Sequence, residues 1–400
     1  MLEAVKVVLA AAAAATDKRS QMMLRRTTTI ALLLALAGNA LAGVLPDDRT
    51  DILYHLYDGG GVEIDGPSVL VRKKVGKSVS LVGNYYVDMI TSASIDVVTT
   101  ASPYTEERTQ WSLGADYLHG NTTMSVNYVS SVESDYDAST YSFSVSQDMF
   151  GDLTTLTLSY ALGDDVVRRS DDPAFMRDLD KQNYSVGVTQ ILTKNLIAQL
   201  NFETLTEEGF LNNPYRSVRY ADPGSALGYS FEPELYPNTR TSNAVGMRAR
   251  YFLPYRAAIE GEYRFFVDTW DIESHTGSLS YIHPWRDFTF TGKFRYHTQT
   301  GAHFYSDLFS RSEATNFRGR DKEISALTSY TFKLQAAYEF LSDDGNDWGF
   351  IKKAKVSGSL NLLHVDYDEF SDLTALEPIG SEPLYQLDAN IFQIYFTFWY

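Results

Sequence analysis

The sequence predicts an all-β protein, an antiparallel transmembrane β-barrel of about sixteen strands that follows a cleaved signal peptide. Three observations support this fold class. Apolar and polar residues alternate in segment after segment, as in strands with two different faces. The connections between the segments alternate between short turns and long loops. The chain ends in FQIYFTFWY, where apolar residues alternate up to a terminal tyrosine.

The composition narrows the class of protein further. The chain has 400 residues and a formal net charge of −17, and 14% of its residues are aromatic. A hydrophobic fraction of 44% excludes a disordered acidic chain, and the acidic balance argues against a nucleic-acid partner. Because the sequence contains no cysteine, disulfides, thiolate metal sites and thiol nucleophiles are excluded.

The first segment is interpreted as a targeting signal. Arg25 and Arg26 precede an apolar run that is too short to span a bilayer, and Ala42 and Gly43 flank the expected cleavage point. The alternative is that the alanine-rich leader is a genuine helix. The predicted organisation is a wrongly assigned upstream start at 1–22, a signal peptide at 23–42 and the barrel at 43–400.

The alternating segments are longer than globular strands, which average about five or six residues. Trp111, Leu113 and Ala115, for example, alternate with Ser112 and Gly114. No helix or second layer is visible to cover such faces, and a sheet in hydrocarbon can have no open edge, so we expect closure into a barrel. With the first hairpin inside the lumen or the periplasm, the strand number would be fourteen. The predicted strands are 51–58, 62–75, 78–92, 105–119, 122–132, 138–150, 153–165, 181–192, 196–207, 241–253, 257–268, 274–283, 288–303, 322–341, 354–368 and 384–400.

The connections predict which end of the barrel is which. Short turns alternate with loops at 163–180, 209–240, 306–320 and 371–383, and outer-membrane barrels have short periplasmic turns and long outer loops. The loop at 209–240 contains four prolines, which predict that it forms no regular ladder. Its aromatic content argues against disorder, and it either folds inward as a constriction or packs as an outer cap.

A charged hairpin is predicted to face the lumen. If Val245 and Met247 point outward, Arg248 and Arg250 point inward and lie opposite Glu262 and Glu260 across the turn at 254–256. The pattern favours a structural salt-bridge lattice, because paired charges neutralise each other; the alternative is a charged constriction that selects solutes. Further cations predicted to belong to this network are Arg264, Lys293 and Arg295.

The last strand is predicted to be recognised by the barrel-assembly machinery. Phe396, Phe398 and Tyr400 lie on one face of it, and the final residue is aromatic. No histidine spacing matches a metal site, no acidic cluster matches a calcium loop, and no nucleophile or phosphate-binding motif is present. The sequence therefore predicts no enzyme, no metal and no cofactor.

Several segments resemble an uncharacterised bacterial envelope family, domain-of-unknown-function family 3570. They are Tyr57-Asp58-Gly59, Gly66-Pro67-Ser68, YVDMI at 86–90, NNPYRSVRYADPGSALGYSF, YPNTRTSNA and FYSDLF at 304–309. The resemblance runs from about residue 50 to the C-terminus and implies an outer-membrane barrel without an established activity. Association of the family's genes with small lipoproteins and flavin-attaching enzymes implies a redox-linked envelope context.

Two functions follow as hypotheses. The first is a pore or transporter for a small solute in the outer membrane of a Gram-negative bacterium. The second is a non-conducting barrel that serves as a scaffold in an envelope complex, in a redox-linked setting. The expected partners are outer-membrane lipid and lipopolysaccharide, the barrel-assembly machinery and an envelope lipoprotein, with no nucleic acid.

Overall fold

The structure, a computed structural model, describes residues 44–92, 104–341, 349–375 and 377–400. Sixteen strands close into one antiparallel barrel, and each is hydrogen-bonded to two neighbours. The prediction of a sixteen-stranded antiparallel barrel is thereby confirmed. The predicted leader, with Ala42 and Gly43, lies outside the described residues. Within them, no helix is long and apolar enough to cross a membrane.

The strands follow the barrel in chain order, except that β9 pairs directly with β12 and the short β10 and β11 form a separate two-stranded sheet. The strands are β1 Arg49–Gly59, β2 Val62–Val75, β3 Val79–Ser92, β4 Tyr104–His119, β5 Thr122–Val132, β6 Tyr136–Met149, β7 Thr154–Arg168, β8 Met176–Thr193, β9 Leu196–Gly209, β10 Ser217–Ala221, β11 Tyr229–Pro233, β12 Thr239–Phe252, β13 Ala258–Asp268, β14 Glu273–Trp285, β15 Phe288–Gln299, β16 Leu327–Leu341, β17 Lys353–Ser371 and β18 Leu384–Trp399.

The first hairpin is part of the wall, so the fourteen-strand alternative is wrong. Strand β1 pairs with β18 along its whole length, from Arg49 opposite Trp399 to Gly59 opposite Ala389, and it pairs with β2 on its other edge. The hydroxyl of Tyr400 donates a hydrogen bond to the Arg49 carbonyl at 3.4 Å. The C-terminal residue therefore lies at the seam where the barrel closes.

Several strand bounds differ from the prediction: β7 runs to residue 168 and β8 begins at 176, both inside the predicted loop at 163–180. Between β15 and β16 the chain instead curls where alternation suggested extension. The Asp321 carboxylate accepts a hydrogen bond from the Glu323 backbone N–H and begins a 3-10 helix at Lys322–Ile324. The Gln299 amide donates to the Glu323 carbonyl at 2.9 Å, which fixes the end of β15. Strand β15 therefore ends at residue 299, not 303, and β16 begins at 327, not 322.

The outward face of the barrel is apolar. On β15, Phe288, Phe294 and Tyr296 are exposed on the outside, whereas Lys293 and Arg295 alternate with them and point inward. Phe288 and Tyr296 are eight residues apart, about 20 Å along the axis of a barrel whose strands tilt by about 40°. A water-exposed apolar band of this size is not typical of soluble proteins, and its height suits the lipid-facing band of an outer-membrane barrel.

The two ends of the barrel differ. Short turns between β2 and β3, β4 and β5, β8 and β9, and β14 and β15 lie at the end where β1 begins and β18 ends. The longest described connections lie at the other end, at residues 210–238, 300–326 and 372–383. The long loops that follow β9, β15 and β17 therefore lie at the same end of the barrel.

The loop at 210–238 does contain a regular ladder, contrary to the prediction from its prolines. Strands β10 and β11 pair from Ser217 opposite Pro233 to Ala221 opposite Tyr229. The prolines do not prevent this pairing because none lies inside the ladder: Pro214 precedes it, Pro223 lies in the turn, Pro233 ends it and Pro237 follows it.

Candidate functional site

A run of inward-facing charges on β12 to β16 forms one side of the lumen. The Arg248 Nε lies 2.6 Å from the Glu262 carboxylate, and the Arg250 guanidinium lies 2.6 Å from the Glu260 carboxylate. Both pairs are directly opposite each other in the β12–β13 register, which is the register that the sequence predicts. Part of the predicted lattice is therefore present in the structure.

Glu262 is shared by several donors. The Lys293 ammonium lies 2.6 Å from its second oxygen, and the Ser278 hydroxyl donates to the same oxygen at 2.8 Å. Two residues beyond Glu262 on β13, the Arg264 guanidinium lies 3.6 Å from the Glu203 carboxylate of β9. Glu262 therefore joins side chains of the four strands β12 to β15, and the Arg264–Glu203 contact is a separate pair between β13 and β9.

Two cations of this surface have no acidic partner. Arg295 and Lys333 form no ion pair and no side-chain hydrogen bond with any residue that the structure describes. Lys333 lies directly opposite Lys293 in the β15–β16 register, and like charges in that position destabilise a sheet. Sequence analysis missed Lys333 as a site residue, although its place between the outward Phe332 and Leu334 could have shown that it points inward.

We call this surface the basic wall. Away from the strand ends on β12–β16, it holds six inward cations and the two carboxylates Glu260 and Glu262. Even with Glu203 counted, positive charge is in excess, although the whole chain carries −17. The cations of the basic wall are Arg248, Arg250, Arg264, Lys293, Arg295 and Lys333.

The other side of the lumen is polar but balanced. There, Arg72 pairs with Asp116, and the Lys181 ammonium lies 2.7 Å from the Asp165 carboxylate. Between these pairs the inward residues are mainly hydroxyl and amide side chains. They include Ser112, Ser125, Asn127, Thr140, Ser142, Ser144, Thr157, Ser159, Asn183 and Ser185.

The long connections pack together into what we call the cap, formed by the described residues of 210–238, 269–272, 300–326, 372–375 and 377–383. Its apolar centre combines side chains from the first three of these segments, with Tyr236 and Trp270 packed edge to face at 5.5 Å between ring centres. Burial of this cluster fixes the loops against one another. The buried members are Tyr236, Trp270, Ile272, Ala302, Phe304 and Ile324.

A buried ion network joins the cap on its other side. Arg219 of β10 is 1% exposed and pairs with Asp307 and with Glu382, which lie on two different loops. Arg320 pairs with Asp307 at 2.9 Å and donates a hydrogen bond to the Ser371 carbonyl. Burial opposes ionisation of Asp307, but the guanidinium groups of Arg320 and Arg219 outweigh it and lower the pKa of Asp307.

The cap crosses the mouth of the barrel. The Tyr215 hydroxyl accepts a hydrogen bond from the Ser170 backbone N–H of the β7–β8 loop, whereas Arg219 binds Glu382 of the β17–β18 loop. Eight strands separate these two loops in either direction around the barrel, so they lie on opposite sides. The segment at 210–238, which the sequence left as either a constriction or an outer cap, therefore spans the mouth from one side to the other.

One group of carboxylates lies close enough together to hold an ion, at Glu106, Glu133 and Asp135. The backbone N–H of Ser134 donates to Glu106 at 3.0 Å, and Arg108 lies 3.9 Å from Glu133. Arg108 also pairs with Asp88, so the three carboxylates are only partly offset, and burial together with the nearby Glu106 carboxylate raises the pKa of Glu133. We assign no metal role to this acidic group at the connection between β5 and β6.

The predicted assembly residues lie on the last strand. Phe396 is exposed on the lipid-facing side, Phe398 is half-buried on the same face, and Tyr400 lies at the seam. In the closed barrel β18 is paired on both edges, with β1 and with β17. Recognition of these residues by the assembly machinery stays a prediction.

Comparison with known proteins identifies one family and several solved structures of similar fold. A family model described as "Protein of unknown function (DUF3570)" matches residues 96–351, more than half of the chain. No curated protein matches the chain. The match begins after the segments at 57–90 that suggested the resemblance and includes those in the cap.

Among solved structures, the chain is similar to a bacterial polysaccharide outer membrane secretin, with 9% identity and a TM-score of 0.47 over 91% of this chain and 100% of that one. It is similar to OmpT of Vibrio cholerae, with 10% identity and a TM-score of 0.42 over 90% and 100%. It is also similar to OccK2 of Pseudomonas aeruginosa, solved in complex with glucuronate, with 10% identity and a TM-score of 0.41 over 89% and 99%. At these identities the likeness is one of fold alone.

Proposed function

We propose that this chain, which belongs to the DUF3570 family of proteins of unknown function, is an outer-membrane barrel that passes a small polar solute through a hydrated lumen narrowed by the cap. The apolar outer face supports the location, because only a bilayer suits a closed barrel with that exterior.

The observation that carries the proposal is the pair of cations without acidic partners in the lumen, Arg295 and Lys333. A charge removed from water costs several kcal/mol unless it is paired. These two cations are half-buried and have no acidic partner among the described residues. Water must therefore reach them, and a lumen that is hydrated at mid-depth is a route for solutes.

The size of the barrel supports the same function. Sixteen strands spaced about 4.8 Å apart and tilted by about 40° enclose a cylinder about 30 Å across between backbones. Inward side chains fill part of that width and the cap covers the mouth. Barrels of this strand number are wide enough for an aqueous channel.

The second candidate function is a non-conducting scaffold for an envelope complex, in a redox-linked setting. The observation in its favour is the cap itself, which is held by a buried aromatic cluster and by the Arg219 network. A cap that never moves would close the barrel and leave its outer surface for a partner such as an envelope lipoprotein.

Planar-bilayer recording of the purified protein separates the two functions. Stepwise, steady conductance in an ordinary potassium chloride solution supports the pore. A protein that inserts, as shown by heat-modifiable migration on detergent gels, but gives no conductance would contradict the pore and favour the scaffold.

A further inference from the structure

We infer that the basic wall is an anion-binding surface, so that the solute carries a carboxylate or phosphate group. This inference rests on the proposed pore and names the class of solute that it admits. The starting point is charge placement: the wall has an excess of cations in a chain whose net charge is −17. The excess is therefore a local feature of five strands and does not follow from composition.

The geometry indicates where the anion binds. Lys333 lies directly opposite Lys293, and Arg295 is its diagonal neighbour on the same face, at about 7–8 Å. Lys293 is offset by Glu262 at 2.6 Å, but Arg295 and Lys333 have no carboxylate to offset them among the described residues. An oxyanion between these two cations would accept hydrogen bonds from both and relieve the repulsion between them.

The residue types fit this ligand. The guanidinium of Arg295 offers paired N–H donors that match the oxygens of a carboxylate or a phosphate, and the Lys333 ammonium adds a point charge. The neighbouring inward residues on β14 and β15, Ser278, Thr291 and His297, offer further polar groups. Carboxylates and phosphates share this chemistry, and the measurement below separates them.

The two sides of the lumen differ in charge, which favours the basic wall as the side that an anion approaches. On the opposite side, Arg72 and Lys181 are neutralised by Asp116 and Asp165. The lumen therefore has one positive side and one neutral hydroxyl-rich side. A passing anion is drawn to the positive side, and such local fields raise the local concentration of a counter-ion about tenfold or more.

The test is the reversal potential of single channels under a tenfold potassium chloride gradient. We expect wild-type protein to prefer chloride over potassium by about tenfold, and the double variant Arg295→Gln/Lys333→Gln to lose most of that preference. The matched control, Lys77→Gln/Lys194→Gln, removes the same charge from two exposed turns and should leave the preference unchanged.

Added acetate and inorganic phosphate then identify the class of ligand. Whichever anion binds between Arg295 and Lys333 should reduce the chloride current of wild-type protein and not that of the double variant. A channel that conducts with no preference for chloride, or whose preference survives in the double variant, would overturn the anion inference and leave the pore intact. A protein that inserts without conducting would overturn the pore itself.

Discussion

Removal of the Arg219 guanidinium is expected to undock the cap. Arg219 is 1% exposed at its side chain, and its partners Asp307 and Glu382 are 18% and 4% exposed. In Arg219→Met the side chain still fills its space, but Glu382 loses its ion-pair partner and remains buried. Removing one partner of a buried ion pair costs about 3–5 kcal/mol.

The lower end of that range applies here, because Asp307 keeps its second cation, Arg320, at 2.9 Å. A loss of about 3 kcal/mol lowers the ratio of docked to undocked cap by about a hundredfold, since about 1.4 kcal/mol corresponds to a factor of ten. Hydrogen exchange measured by mass spectrometry should show a comparable loss of protection in the cap hairpin, β10 and β11, with the barrel strands unchanged.

The control is Arg311→Met, which removes an exposed arginine of the same cap. The double variant Arg219→Met/Glu382→Gln should recover part of the lost protection, because the buried carboxylate is then uncharged. Equal exchange rates in Arg219→Met and Arg311→Met would refute the conclusion that the buried network holds the cap.

Three further predictions concern pH, the lumen lattice and the seam. Burial opposes ionisation of Asp307 and Glu382, but their arginine partners lower both pKa values below the ordinary 3.8 and 4.5. The two carboxylates therefore stabilise the docked cap fully above pH 4.5, and this contribution is lost as the pH falls through their lowered pKa values. Equal protease resistance of the cap at pH 6 and at pH 3 would contradict this prediction. Arg250→Glu should reduce the heat-modifiable, folded fraction by placing two carboxylates opposite each other, at a cost of about 1 kcal/mol, and Glu260→Arg in the same chain should partly restore it; a single change without effect would mean that this pair does not stabilise the barrel. Deletion of Tyr400 should lower the yield of folded barrel in membranes, because its hydrogen bond lies at the closing seam, and an unchanged yield would remove any role of this residue in assembly.

The barrel was predictable because it depends on a local pattern. Alternation with a period of two residues predicts which side chains face outward. The exposed aromatics Trp111 and Phe294 lie at such outward positions. The hairpin pairs of Arg248 and Arg250 were predictable for the same reason, since a short turn fixes the register of its two strands. Errors appeared where alternation continued into a turn, as before Leu327.

The cap was not predictable from such patterns, because its contacts join residues that are far apart in the sequence. Arg219 lies 88 residues from Asp307 and 163 residues from Glu382, and no periodicity links them. The lack of an acidic partner for Lys333 was equally hidden: alternation shows that a side chain points inward, but only the registers of neighbouring strands show what lies opposite it.

Single-channel conductance of the wild-type protein beside a variant that lacks residues 212–238 tests the central claim most directly. Thr239 already lies opposite Glu208, so this deletion leaves residues 209–211 as a short hairpin connection of a common length, and the barrel wall should be preserved. If the lumen is a hydrated pore narrowed by the cap, the deletion variant conducts in steady steps that are larger than those of the wild-type protein. Equal conductance in the two proteins would show that the cap does not narrow the pore, and no conductance in either would contradict the pore.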